Sequence, residues 1–105
     1  MATTTRIDQF EVIYSSNTFS PRIGLINGGK FFATLVFCPN NQPLPSDTIK
    51  NKQFMLFYHL DDFQNVREML ETEKNLYALW AGPSGENAIL TTEEPVGTGI
   101  EIKAA

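Results

Sequence analysis

Cysteine is nearly absent from this chain of 105 residues: Cys38 is the only one. A lone thiol excludes an internal disulfide and a cysteine-built metal centre. Histidine is equally scarce, with His59 alone. Charge is thin at 19% of residues, below the usual quarter. No cluster of Lys and Arg occurs anywhere, and the net charge is −4. Phosphate binding needs several cations close together, so this composition disfavours a nucleic-acid partner. Long hydrophobic runs are also missing. The longest spans about seven residues against the roughly 20 that a transmembrane helix needs, so no membrane partner is expected. The start, MATTTRIDQF, has no basic segment leading into an apolar stretch and does not read as a signal peptide. With a single thiol and no recognisable export signal, a cytoplasmic protein with a reduced thiol is the expectation.

What is present is apolar and aromatic. Hydrophobic residues make up 42% of the chain, with eight Phe, three Tyr and one Trp. This is globular content and enough for one domain. We therefore expect a single α+β domain over residues 1–105, with 1–8 a flexible polar leader. The charge divides unevenly: residues 1–50 hold four basic and three acidic groups, residues 51–105 four and nine.

Periodicity supplies the elements. Alternation predicts a strand over 10–15, and short apolar runs predict strands over 22–26, 30–37 and 52–58. Asn27-Gly28 predicts a type I′ hairpin turn, since its two central positions need positive φ, and Gly29 suggests a bulge after it. Residues 38–47, CPNNQPLPSD, carry three prolines and predict an extended loop. Leu60, Phe63, Val66, Met69 and Leu70 recur at helical spacing, with Asp61 and Gln64 as a capping box. GPSGE joins two further strands, 76–81 and 87–92, and Val96, Ile100 and Ile102 suggest a last edge strand. The predicted fold is α+β: a single twisted antiparallel sheet of five to seven strands, order β-β-β-β-α-β-β, with one helix packed across one face. In layout alone, strands followed by a helix, this is similar to the single-stranded-DNA-binding transcriptional coactivator fold. No residue motif accompanies the likeness, and a hairpin follows the helix here.

The strands at 30–37 and 52–58 have no polar side. Phe31, Ala33, Leu35 and Phe37 alternate with Phe32, Thr34 and Val36; Met55 and Phe57 alternate with Phe54, Leu56 and Tyr58. Strands buried on both faces have this composition. One helix cannot cover both, so the second face is expected to meet another subunit or the 39–51 loop folding back, the subunit being favoured. Phe32, Val36, Phe54, Leu56 and Tyr58 are the expected interface, and a homodimer the expected assembly.

No catalytic constellation is visible. His59 precedes Asp61 and Asp62 but has no partner set, and Cys38 reads as a small buried hydrophobe. GPSGE lacks the nucleophile-elbow spacing, and NGGK precedes a strand where a phosphate loop precedes a helix. Asp61, Asp62, Glu68, Glu71 and Glu73 do not follow a calcium-loop pattern and read as a solvated helix face. The expectation is therefore no catalytic residue, no metal and no cofactor, and a non-enzymatic homodimeric module that binds a protein partner or assembles. The alternative is a single-stranded nucleic-acid binder that stacks bases on an aromatic sheet face, with Arg22, Lys30, Lys52, Tyr58 and Trp80 as contacts. A small enzyme built around Cys38 or His59 at a dimer seam ranks below both.

Overall fold

The computed structural model describes residues 2–16 and 20–91. Eight strands and one helix follow in the order β1 (Thr3–Arg6), β2 (Gln9–Ile13), β3 (Arg22–Asn27), β4 (Lys30–Cys38), β5 (Thr48–Lys50), β6 (Gln53–His59), α1 (Phe63–Thr72), β7 (Leu76–Trp80) and β8 (Ala88–Thr91). A 3-10 turn, Leu60–Asp62, leads into the helix. The edge strand expected around Val96, Ile100 and Ile102 lies outside the described residues.

The single antiparallel sheet expected from sequence is corrected to two sheets, the larger of mixed direction and the smaller antiparallel. A five-stranded sheet has the order β2-β3-β4-β6-β5, and a three-stranded sheet the order β1-β7-β8. β4 and β6 run parallel, from Ala33 beside Phe54 to Cys38 beside His59. The remaining pairs are antiparallel. With these changes the layout likeness to the coactivator fold is lost.

The parallel pair arises without a crossover helix. After β4 the loop 39–47 carries the chain sideways past the end of β6 and drops it into β5. A tight turn at Asn51-Lys52 then sends β6 back between β5 and β4. Side chains hold this loop where ladder bonds cannot. Asp47 Oδ1 accepts the Phe57 amide at 2.8 Å, continuing the β6 edge beyond the end of β5. Asn40 and Asp61 pair twice: Asn40 Nδ2 donates to Asp61 Oδ1 at 3.0 Å, and the Asp61 amide donates to Asn40 Oδ1 at 2.7 Å. Asp61 therefore pins the loop. The capping box expected from Asp61 and Gln64 is replaced by Asp62 at the N-cap, with no side-chain cap bond.

The two sheets are joined where the chain switches between them. The Ile7 amide donates to Leu76 O of β7 at 2.9 Å, and the next amide, Asp8, donates to Ile26 O of β3 at 2.9 Å. The residues read as a polar leader thus supply β1, paired from Thr3–Trp80 to Arg6–Tyr77. The β3–β4 turn is centred on Gly28 and Gly29, at φ 60° and 81°, one residue later than Asn27-Gly28. Asn27 is released to donate its Nδ2 to Arg6 O at 2.9 Å, and the Gly28 amide donates to Asp8 Oδ2 at 2.8 Å. The turn therefore ties both strands of the corner.

One core fills the space between the layers. Ile23, Leu25, Ala33, Leu35, Phe37 and Leu56 of the large sheet meet Leu76, Ala78 and Trp80 of the small one. α1 adds Phe63 and Leu70, with Val66 and Met69 beside them. Phe54 stacks on Trp80 at 5.0 Å between centroids, and Phe63 meets Phe37 edge-on at 5.0 Å. The second sheet and α1 share one face of the large sheet, and the opposite face, with Phe31 and Ile13, stays open.

Candidate functional site

A register shift between Leu25 and Ile26 decides what the opposite face of the large sheet looks like. Leu25 pairs with Ala33 but Ile26 pairs with Phe31, so Phe32 is an extra residue. The bulge reverses the alternation at the start of β4. Phe32 turns inward and packs against the core. Phe31 turns outward, and its ring lies over Gly24, where an added Cβ would meet Phe31 Cε1 at 2.7 Å. The ring remains 47% exposed.

Around Phe31 the outer face is built in three rows across the strands. Alternation and register place Ile13, Arg22, Val36 and Phe57 in one row, and Glu11, Gly24, Thr34, Met55 and Thr48 in the next. The third row holds Gln9, Ile26, Phe31, Gln53 and Lys50. Ile13 is 39% exposed, while Val36, Met55 and Phe57 are half-buried. A shallow groove of about 290 Å³ runs between Phe31, Ile13, Arg22 and Gln53, with Glu11 and Thr34 on its walls. Apolar side chains so exposed and contiguous mark an interaction surface more often than scattered ones do. Lysines gather at one end: Lys30 follows the β3–β4 turn, and Lys50 and Lys52 flank the centre of the β5–β6 turn. Because β4 and β6 are parallel, both turns lie at the same end of the sheet.

The residues expected at an interface divide between the two faces. Val36 lies on the outer face. Phe32, Phe54, Leu56 and Tyr58 point into the core, with Leu56 only 3% exposed. Of the expected nucleic-acid contacts, Arg22 lines the outer groove, and Lys30 and Lys52 are exposed at the lysine end. Trp80 is 8% exposed and stacked on Phe54, and Tyr58 stacks on Phe37 at 5.5 Å. These two rings belong to the core. Burial pushes the Tyr58 hydroxyl up to about 12, with the Asp47 and Asp62 carboxylates adding to the effect. Phe31, Ile13, Glu11, Met55 and Phe57 are the outer-face residues the sequence reading passed over. Gly24 in the middle of a strand was the available signal, since a strand glycine often marks a close approach.

Cys38 and His59 sit side by side at the other end of the β4–β6 pair. His59 Nε2–H donates to the Gln42 carbonyl at 2.9 Å, so the ring holds the proline loop. Among the described residues, no three His, Cys, Asp or Glu side chains come together to hold a metal ion, and no helix is long and apolar enough to cross a membrane. A second groove, about 350 Å³, lies between the Ile7–Phe10 corner and the end of α1, lined by Leu70, Glu73, Lys74 and Leu76.

What the outer face offers chemically is a half-apolar platform around the Phe31 ring, with Glu11 and Arg22 on the β2–β3 side and Lys50 and Lys52 on the β5 side. No protein-family model matches the chain, and neither a curated protein nor a solved structure is significantly similar to it.

Proposed function

We propose that this protein is a non-enzymatic assembly module that forms a homodimer through the outer face of its five-stranded sheet. The observation that carries this reading is the Phe31 ring, turned outward by the β4 bulge and seated on Gly24 amid Ile13, Val36, Met55 and Phe57. Closed two-fold pairs are the commonest soluble assemblies, and an aromatic anchor at the centre of a patch is where association energy concentrates. The face is small. Five strands about 4.8 Å apart and some five residues long present a footprint of about 400 Å², below the roughly 800 Å² per partner of a standard interface. Association is therefore weak, and concentration governs it.

Sedimentation velocity on the full chain from micromolar to millimolar concentration tests this. A monomer–dimer equilibrium in the wild type, shifted to monomer by Phe31→Ser with the circular dichroism spectrum unchanged, supports the reading. A wild type that stays monomeric throughout overturns it. The second reading, a single-stranded nucleic-acid binder, draws support from Arg22, Lys30, Lys50 and Lys52 beside Phe31, and loses Tyr58 and Trp80 to the core. Titration with a labelled oligonucleotide at two salt concentrations separates the readings, since phosphate contacts weaken steeply with salt.

A further inference from the structure

The order of strands in the large sheet makes its outer face self-complementary in charge. β4 is the central strand, with β3 and β2 on one side and β6 and β5 on the other. Glu11 stands on the β2 edge and Lys50 on the β5 edge. Both are exposed. A two-fold axis lying along β4, between two stacked sheets, exchanges the two sides of the face. It sets β2 of one copy over β5 of the other, and β3 over β6.

We propose that the occupant of this face is a second copy of the chain, docked about that axis, with Glu11 of each copy paired to Lys50 of the other. The inference rests on the homodimer reading above and adds its geometry. Four consequences of the register make the arrangement coherent. Glu11 is level with Thr48, two residues from Lys50 along the strand, an offset of about 7 Å that a lysine side chain spans. Phe31, on the central strand, meets its own counterpart across the axis, and Val36 does the same. Arg22 on β3 comes opposite Phe57 on β6, a cation over an aromatic face. Gly24, covered by the Phe31 ring, comes opposite Met55, a flexible apolar side chain suited to packing against that ring.

The other axis in the plane of the face, running across the strands, sets β2 over β2 and β5 over β5. It places Glu11 near Glu11 and Lys50 near Lys50. Like charges at the rim of an interface suppress that arrangement. A head-to-tail contact, lysine end against the acidic α1 of a neighbour, is the remaining competitor and gives open chains of copies where the two-fold gives closed pairs.

Charge exchange distinguishes these. Sedimentation equilibrium would be run on the full-length wild type, Glu11→Lys, Lys50→Glu and the double variant. Each single change turns two attractive pairs of the dimer into two repulsive ones and raises the dissociation constant about tenfold. The double variant restores both pairs with reversed sign and returns to within about twofold of the wild type. Rescue by the double variant is an outcome that loss of folding in a single variant cannot imitate. If the singles leave dimerisation unchanged, or the double is no better than the worse single, the arrangement is overturned while the homodimer stands. If Glu11→Lys strengthens association and species larger than dimers appear, the head-to-tail contact replaces it. If the wild type never dimerises, the homodimer reading fails and this inference with it.

Discussion

Phe31 and Gly24 form a matched pair across β3 and β4: the ring occupies the volume that any Cβ at position 24 would need, 2.7 Å from Cε1 and 2.9 Å from Cδ1. The contact is with the far end of a side chain, so the ring can swing aside. Gly24→Ala is therefore expected to leave stability within about 1 kcal/mol of the wild type, since a strand gains from losing a glycine what it gives up in ring contact. Its effect falls on the surface. The displaced ring opens the patch, and dimerisation measured by sedimentation weakens while the thermal midpoint moves by only a few degrees.

Asn87 carries a denser duty. Its Oδ1 accepts the Ala81 amide at 2.6 Å, and its Nδ2 donates to Gly82 O at 3.0 Å and to Asp47 Oδ2 at 2.9 Å. Asp47 in turn holds the Phe57 amide. This chain of bonds fastens the β7–β8 loop to the edge of the large sheet. Asn87→Ala orphans a half-buried amide and one oxygen of a carboxylate, and should cost about 2–3 kcal/mol in urea denaturation. Asp47→Ala should cost a similar amount. The double variant should cost clearly less than the two together, because both break one network.

Tyr58 predicts the alkaline limb of stability. Its hydroxyl is raised from 10.0 to about 12 in the folded protein. The unfolded chain loses this proton near pH 10, while the folded one keeps it until about 12. Below pH 10 both states hold the proton, and the contribution is fully present. Between pH 10 and 12 the unfolded state binds fewer protons, so stability falls as pH rises, by roughly 2 kcal/mol over the window. Denaturant midpoints at pH 8 and pH 11 should separate in the wild type. Tyr58→Phe should remove most of that separation.

Lys52 holds a positive φ of 65°, next to Asn51 at 55°. Asparagine tolerates this region and lysine does so at a cost of about 1–2 kcal/mol. Lys52→Gly relieves it but adds freedom to the unfolded chain. The net expectation is a gain of about 0.5 kcal/mol, read as a small rise in the urea midpoint with an unchanged slope.

Local chemistry was legible in the sequence and long-range pairing was not. Asn27-Gly28 announced the β3–β4 turn one residue early, apolar runs announced β4 and β6, helical spacing announced α1, and GPSGE announced the β7–β8 hairpin. A bulge after the turn was expected from Gly29, but its place at Phe32 was not legible, because a register shift is a property of two strands together. It reversed the sides of Phe31 and Phe32 and with them the content of the candidate surface. The parallel β4–β6 pair depends on Asp61, the Phe57 amide and His59 holding Asn40, Asp47 and Gln42 of the loop from elsewhere in the chain. β5 was hidden because its turn uses Asn51-Lys52 in place of Asn-Gly, and β1 because a threonine run beside the start of a chain reads as leader. Without β1 the second sheet was not foreseen, so the open face was sought at Phe54, Leu56 and Tyr58, which that sheet and α1 cover, and not at Phe31 and Ile13.

The amides of Ile7 and Asp8, consecutive in the chain, hang from carbonyls in different layers. No hinge separates the layers there: a single peptide unit is the seam. Loosening one layer must drag on the other through a linkage too short to stretch. Melting is accordingly expected to be one event, with Trp80 fluorescence on the small layer and the helical signal of α1 lost along the same curve.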